Sequence, residues 1–170
     1  MKNKPITVAL IIFCFVVAIQ QMVTAQSKQV QATNERIKLK VMPELNAKLP
    51  VKRREIKYPT SLMMTASGGI KPSFEAEFEG IEFTVCTDYK SKRISFISTS
   101  DERFETSEGI AVNDTLQRVL ETSQGELIKE RGWAFFVKLK SGWSAAFVQG
   151  QEATEGELPP EAKVAFLFKR

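Results

Sequence analysis

The chain holds 170 residues, with 24 lysines and arginines against 20 aspartates and glutamates, a net charge of +4, two cysteines and no histidine. Without an imidazole base there is no Ser-His-Asp or Cys-His nucleophile pair, and two cysteines cannot replace histidine as zinc ligands. Neither a GxxxxGK phosphate loop nor a GxGxxG turn occurs, and no stretch has the alternating Asp/Asn-Gly order of a calcium loop, so no catalytic, cofactor-binding or metal residue is assigned.

Lys2 and Lys4 precede residues 6–19, fourteen positions without a charge, and Val23 and Ala25 occupy the −3 and −1 places of a small-residue cleavage site. Residues 1–25 read as a secretory signal peptide cut after Ala25. Fourteen helical residues span about 21 Å, short of the ~30 Å hydrocarbon core, so no stable membrane span is expected after cleavage. An uncleaved anchor is the alternative. Cleavage would leave 145 residues with 22 basic and 20 acidic side chains, a net charge of +2. That balance is no nucleic-acid footprint, and export argues against nucleic acid as a partner. Cys86 alone would survive, so no intramolecular disulfide is expected.

Residues 26–36 are polar and aperiodic, a flexible lead-in; residues 37–170 are read as a single α+β domain. Ile37, Leu39 and Val41 alternate with lysines, which predicts a short first strand. Pro43, Pro50 and Pro59 then punctuate a stretch of loops with one marginal element. Within it Lys48, Lys52, Arg53, Arg54 and Lys57 crowd together, with Tyr58 beside them and Glu55 opposing. This is either a solvated face or a partner-binding surface for an anionic group on a protein or envelope component.

Phe74, Ala76 and Phe78 alternate with Glu75, Glu77 and Glu79, and Ile81, Phe83 and Val85 with Glu82 and Thr84. With Ile94 and Phe96 they predict a meander of three half-buried strands. Cys86 falls on the face opposite Phe83 and Val85, where partial access is expected, either as a small filler or as a free thiol for an intermolecular disulfide.

After the Glu108-Gly109 loop, Thr115 is placed as an N-cap, and Leu116, Val119 and Leu120 form one stripe of a short helix ending near Gly125. Too short to stand alone, this helix is expected to lie on a sheet. The pattern I-x-V-N-D-T-x-x-x-V-L at 110–120, followed by Gly125, resembles the I-x-x-G-M-T-x-x-x-V signature of small envelope proteins of the SmpA/OmlA (BamE-like) group. The resemblance implies a compact α+β exported module of binding or assembly type, with Thr115 as the cap and Val119 as its buried valine. Asn113 stands where that group has glycine, Arg118 where an acidic capping partner is usual, and no lipidated cysteine begins the processed chain.

GWAFFVKLKSGWSAAFV, residues 132–148, predicts a hairpin. A three-residue loop, 140–142, puts Phe135 opposite Phe147, Val137 opposite Ala145 and Gly142 at the left-handed position such loops favour. Trp133, Phe135, Val137, Leu139, Trp143, Ala145 and Phe147 then share one buried face. Residues 149–161 read as an acidic loop. The closing KVAFLFK is apolar on both sides, so that strand is expected to be covered on both.

The expectation is therefore an α+β fold, mainly an antiparallel sheet of meander and hairpin with one short helix packed on it. Its expected role is that of a small exported, periplasmic or secreted, non-enzymatic domain binding a protein or envelope component, with no cofactor. A hydrolase using carboxylates or a Ser/Lys pair, and a purely structural subunit of an envelope complex, are the alternatives.

Overall fold

Alternation along the chain becomes two faces once the strands pair, because successive side chains in an extended chain point to opposite sides. A computed structural model describes residues 36–39, 44–48, 61–88, 90 and 93–170. The chain divides into two units, 1–35 and 36–170, and every described residue belongs to the second. The signal-peptide reading therefore lies outside the described residues. Among them, no helix is long and apolar enough to cross a membrane.

The strands are β1 (Ser61–Ala66), β2 (Gly69–Phe78), β3 (Ile81–Thr87), β4 (Ile94–Thr99), β5 (Leu127–Glu130), β6 (Ala134–Lys138), β7 (Ser144–Phe147) and β8 (Phe166–Lys169), with one helix, α1 (Leu116–Ser123). They form one sheet in the order β1-β2-β3-β4-β8-β7-β6-β5, every neighbouring pair antiparallel. The protein is thus an α+β fold that is mostly antiparallel sheet. Glu79 and Gly80, both at positive φ, make the tight turn between β2 and β3. Between β6 and β7, Phe135 faces Phe147 and Val137 faces Ala145, and Gly142 in the intervening loop has φ 81°. Among the described residues 36–39 of the expected first strand, Ile37 makes an isolated bridge to Phe104, and Val41 lies outside the described residues.

The sheet is curled. Flat strands about 4.8 Å apart would hold β1 roughly 14 Å from β4, yet Ser98 Oγ on β4 lies 3.9 Å from Met63 Sδ on β1. At the far end Trp133 Nε1, just before β6, donates to the Met64 carbonyl across a 3.0 Å gap. Arg170 joins this seam, donating to the Thr65 carbonyl at 3.2 Å and pairing with Glu130.

Each face of the curled sheet carries a buried cluster. The outer face carries the larger cluster, in which Ile81, Phe83, Val85, Val137, Ala145, Phe147 and Leu167 pack beneath Phe104, Ile110, Trp143 and the α1 residues Leu116 and Val119. Thr115 caps α1 by accepting from the Arg118 amide at 3.2 Å. The inner face carries a second cluster of Cys86, Phe96, Trp133, Ala134, Phe136, Ala146 and Phe168. The shared face expected for both indoles is therefore corrected. Trp133 sits in the turn that its amide closes onto the Glu130 carbonyl, ahead of the strand, and so leaves the parity of Phe135 and Val137 for the opposite side. β8 lies centrally between β4 and β7, with Leu167 buried outward and Phe168 inward.

Asp114 ties the loop before α1. Only 7% exposed, it accepts from the Ala111 amide at 2.8 Å and from Arg36 at 2.8 Å, with Arg118 Nε 3.5 Å away. Replacing it with alanine orphans a buried amide and uncouples two partly exposed arginines. The expected loss is about 2 kcal/mol by chemical denaturation, with Asp114→Asn losing less because its carbonyl still accepts from Ala111.

Candidate functional site

The inner face is apolar only in part. Along one row of paired residues, Glu75 faces Thr84, Thr84 faces Ser98, Ser98 faces Phe168 and Phe168 faces Ser144. The row thus runs from a charged bank on β2 and β3 to an aromatic floor on β8. One rung away, Glu77 faces Glu82 directly. Where these strands approach the Ala165–Phe166 entry to β8, the curl leaves an open recess of about 490 Å³. It is lined by Met63, Glu75, Glu82, Thr84, Ser98 and Phe166 among others, and its size is in the range of small-ligand sites.

Its polar groups are unevenly satisfied. Thr84 Oγ1 stands 3.4 Å from both Glu75 oxygens, longer than the contact that would activate a hydroxyl as a nucleophile. Asp101, at the rim, is bonded by Arg103 Nε at 2.9 Å. This hydrogen bond holds its carboxyl below the usual carboxylate range against the opposing effect of burial. The same bond to Asp101 raises Arg103, whose other donor group reaches the Gly80 carbonyl at 2.8 Å. Thr99 Oγ1 donates to the Glu82 carbonyl and accepts from the Asp101 amide. Ser98, only 4% exposed, has no better partner than a thioether sulfur. Among the described residues no group of three or more His, Cys, Asp or Glu side chains is placed to hold a metal.

None of the residues singled out from the sequence is among the described residues that line this recess. Lys52, Arg53, Arg54, Lys57 and Tyr58 fall outside the described residues, and Lys48 is exposed, bridged to Arg93. The partial access expected of Cys86 is corrected: its thiol is fully buried, because the inner side of β3 is covered by the second cluster. Burial pushes its pKa up to about 11, opposed by nearby Lys71. Alkylation by iodoacetamide at pH 8 should run about a hundredfold slower in the native protein than in denaturant, since the thiolate is the reacting species. Comparable rates would contradict the burial.

The recess residues Glu75, Glu82 and Thr84 were legible in the sequence only as the polar side of alternating strands, while Ser98 shares the parity of Ile94 and Phe96 and carried no signal. A usable signal was present in Glu75, Glu77 and Glu82, three carboxylates brought to one face by a two-residue turn.

A comparison with family models finds no match, and none of the curated proteins matches. Among solved structures, the chain is similar to the crystal structure of the uncharacterized protein yfeY from Escherichia coli, with a TM-score of 0.36 and 17% identity, covering 58% of this chain and 77% of that one.

Proposed function

We propose that the protein is an exported, non-enzymatic domain that binds a protein or envelope component at the mouth of its curled sheet. In this reading a meander of β2, β3 and β4 supplies the polar bank, and Met63 of β1 with the Ala165–Phe166 entry to β8 supplies the apolar contact. One observation carries the proposal: the recess sets carboxylates and hydroxyls beside Met63 and Phe166, while both indoles are packed into the clusters behind it. Such a surface offers hydrogen-bond acceptors and apolar contact together, the composition of a recognition site. The likeness of 110–125 to the SmpA/OmlA group, proteins of binding or assembly type, points the same way.

The test is recovery of partners from the cells that make the protein, using Thr84→Arg to fill the mouth and Val148→Arg as an exposed control. A partner that is lost with the first variant and kept with the second supports the proposal; equal recovery with both sinks it. A hydrolase working through carboxylates is the second reading, favoured by Glu75 and Glu82 sharing one recess. Turnover of a chromogenic ester or glycoside that Glu82→Gln abolishes would move the assignment there.

A further inference from the structure

We infer that the mouth receives a lysine or arginine side chain from an extended basic peptide segment of a partner protein, an inference that rests on the binding reading above. The first ground is a cost borne by the fold. Glu77 and Glu82 stand directly opposite one another across β2 and β3, and Glu75 occupies the next rung of the same face. Like charges directly opposite destabilise a sheet. Arg103, bonded to Asp101 and the Gly80 carbonyl, offsets part of the charge on Glu82 and Glu77. Lys71 is engaged with Ser95 and Asp88, so Glu75, Glu77 and Glu82 still outnumber that guanidinium.

The second ground is independent of charge. Ser98 is 4% exposed and lines the recess, and its hydroxyl meets only the Met63 sulfur at 3.9 Å. Its oxygen is therefore a buried acceptor without a protein donor among the described residues. Lysine and arginine carry donors and no acceptors, matching a recess whose carboxylate and hydroxyl oxygens accept. An anionic guest would meet Glu75 and Glu82 at close range. The third ground is the mixed lining: Met63 and Phe166 line the same recess as the carboxylates, offering apolar contact for the aliphatic stem while the charged head reaches the carboxylates.

The same molecule already uses this arrangement on itself. Arg170 lies with its guanidinium 4.5 Å from the Trp133 ring centroid and pairs with Glu130, an aromatic face and a carboxylate gripping one cation.

The experiment is a titration of the isotopically labelled full chain with a capped lysine–leucine alternating pentapeptide, read by amide chemical shifts. Two parallel titrations use versions with glutamine and with glutamate in place of lysine, and a third uses spermidine. The basic peptide should shift the amides of residues 75, 82, 84 and 98. Its affinity should fall about fivefold in the Glu75→Gln, Glu82→Gln double variant at low salt, and fall again in the parent as salt is added. Equal binding of the glutamine peptide at these amides would overturn the cationic assignment and leave the mouth as the binding face. Spermidine binding there as tightly as the peptide would overturn the peptide. No shift at these amides with millimolar basic peptide would overturn the inference itself, and the reading beneath it would then be decided by partner recovery with Thr84→Arg.

Discussion

Trp143→Ala is expected to cost about 3–5 kcal/mol, the range for removing a large buried aromatic side chain. Trp143 is fully buried, with its ring centroid 4.9 Å from that of Phe104 and 6.2 Å from that of Phe83, and Lys169 Nζ lies 5.2 Å from it. It joins the loop after β6 to the far side of the outer cluster, so its removal opens a void among residues from four separate segments. Against a typical net stability of 5–15 kcal/mol, thermal denaturation should show a Tm lower by about 10–15 °C. Trp143→Phe should differ sharply. The indole N–H is buried without a hydrogen-bond partner, an unfavourable state that phenylalanine relieves. The smaller ring's lost contacts and the removed donor offset one another, and the change should stay within about 1 kcal/mol.

Trp133→Ala should cost a similar amount for a different reason. This indole belongs to the inner cluster, edge-on to Phe168 with centroids 4.9 Å apart and in contact with Phe96, Phe136 and Phe166. It also closes the seam, through its bond to the Met64 carbonyl and the stacked Arg170. About 3–5 kcal/mol is expected, with faster hydrogen exchange concentrated in β1, which loses one of its ties across the seam. Trp133→Phe keeps the ring and loses the bond, so it should cost about 1 kcal/mol and still loosen β1. A uniform rise in exchange across all strands would show that the seam is not held by this residue.

The class of fold was readable because the signals are local. Glutamates alternate with Phe74, Ala76 and Phe78 through 74–79, and a threonine cap precedes a three-residue apolar stripe. A KVAFLFK segment apolar on both sides must be covered on both, and β8 is. What escaped depends on long-range pairing. β1, reading SLMMTA, has no alternation to mark it: Leu62 and Met64 are exposed on an edge strand, while Met63 turns inward to reach Ser98. The sidedness of Trp133 is set by the turn from Glu130, which shifts its parity by its own geometry.

The site escaped for the same reason. In a single strand Glu75 and Glu82 are the wet side of an amphipathic ribbon. They come to line a recess only when the sheet curls and brings Met63 and Phe166 to the same opening. The curl has no sequence motif; it follows from having two apolar faces to bury with one sheet and one short helix.

That both indoles are packed into buried clusters, one on each face, and do not line the mouth is the claim on which the account stands. Acrylamide quenching of the single-tryptophan variants Trp133→Phe and Trp143→Phe tests it directly. Each remaining indole should be quenched far more slowly than free N-acetyltryptophanamide, and adding the basic peptide should leave both unchanged. Quenching of Trp133 near the free rate, or its protection by the peptide, would mean that the aromatic interior itself is the chamber for a guest.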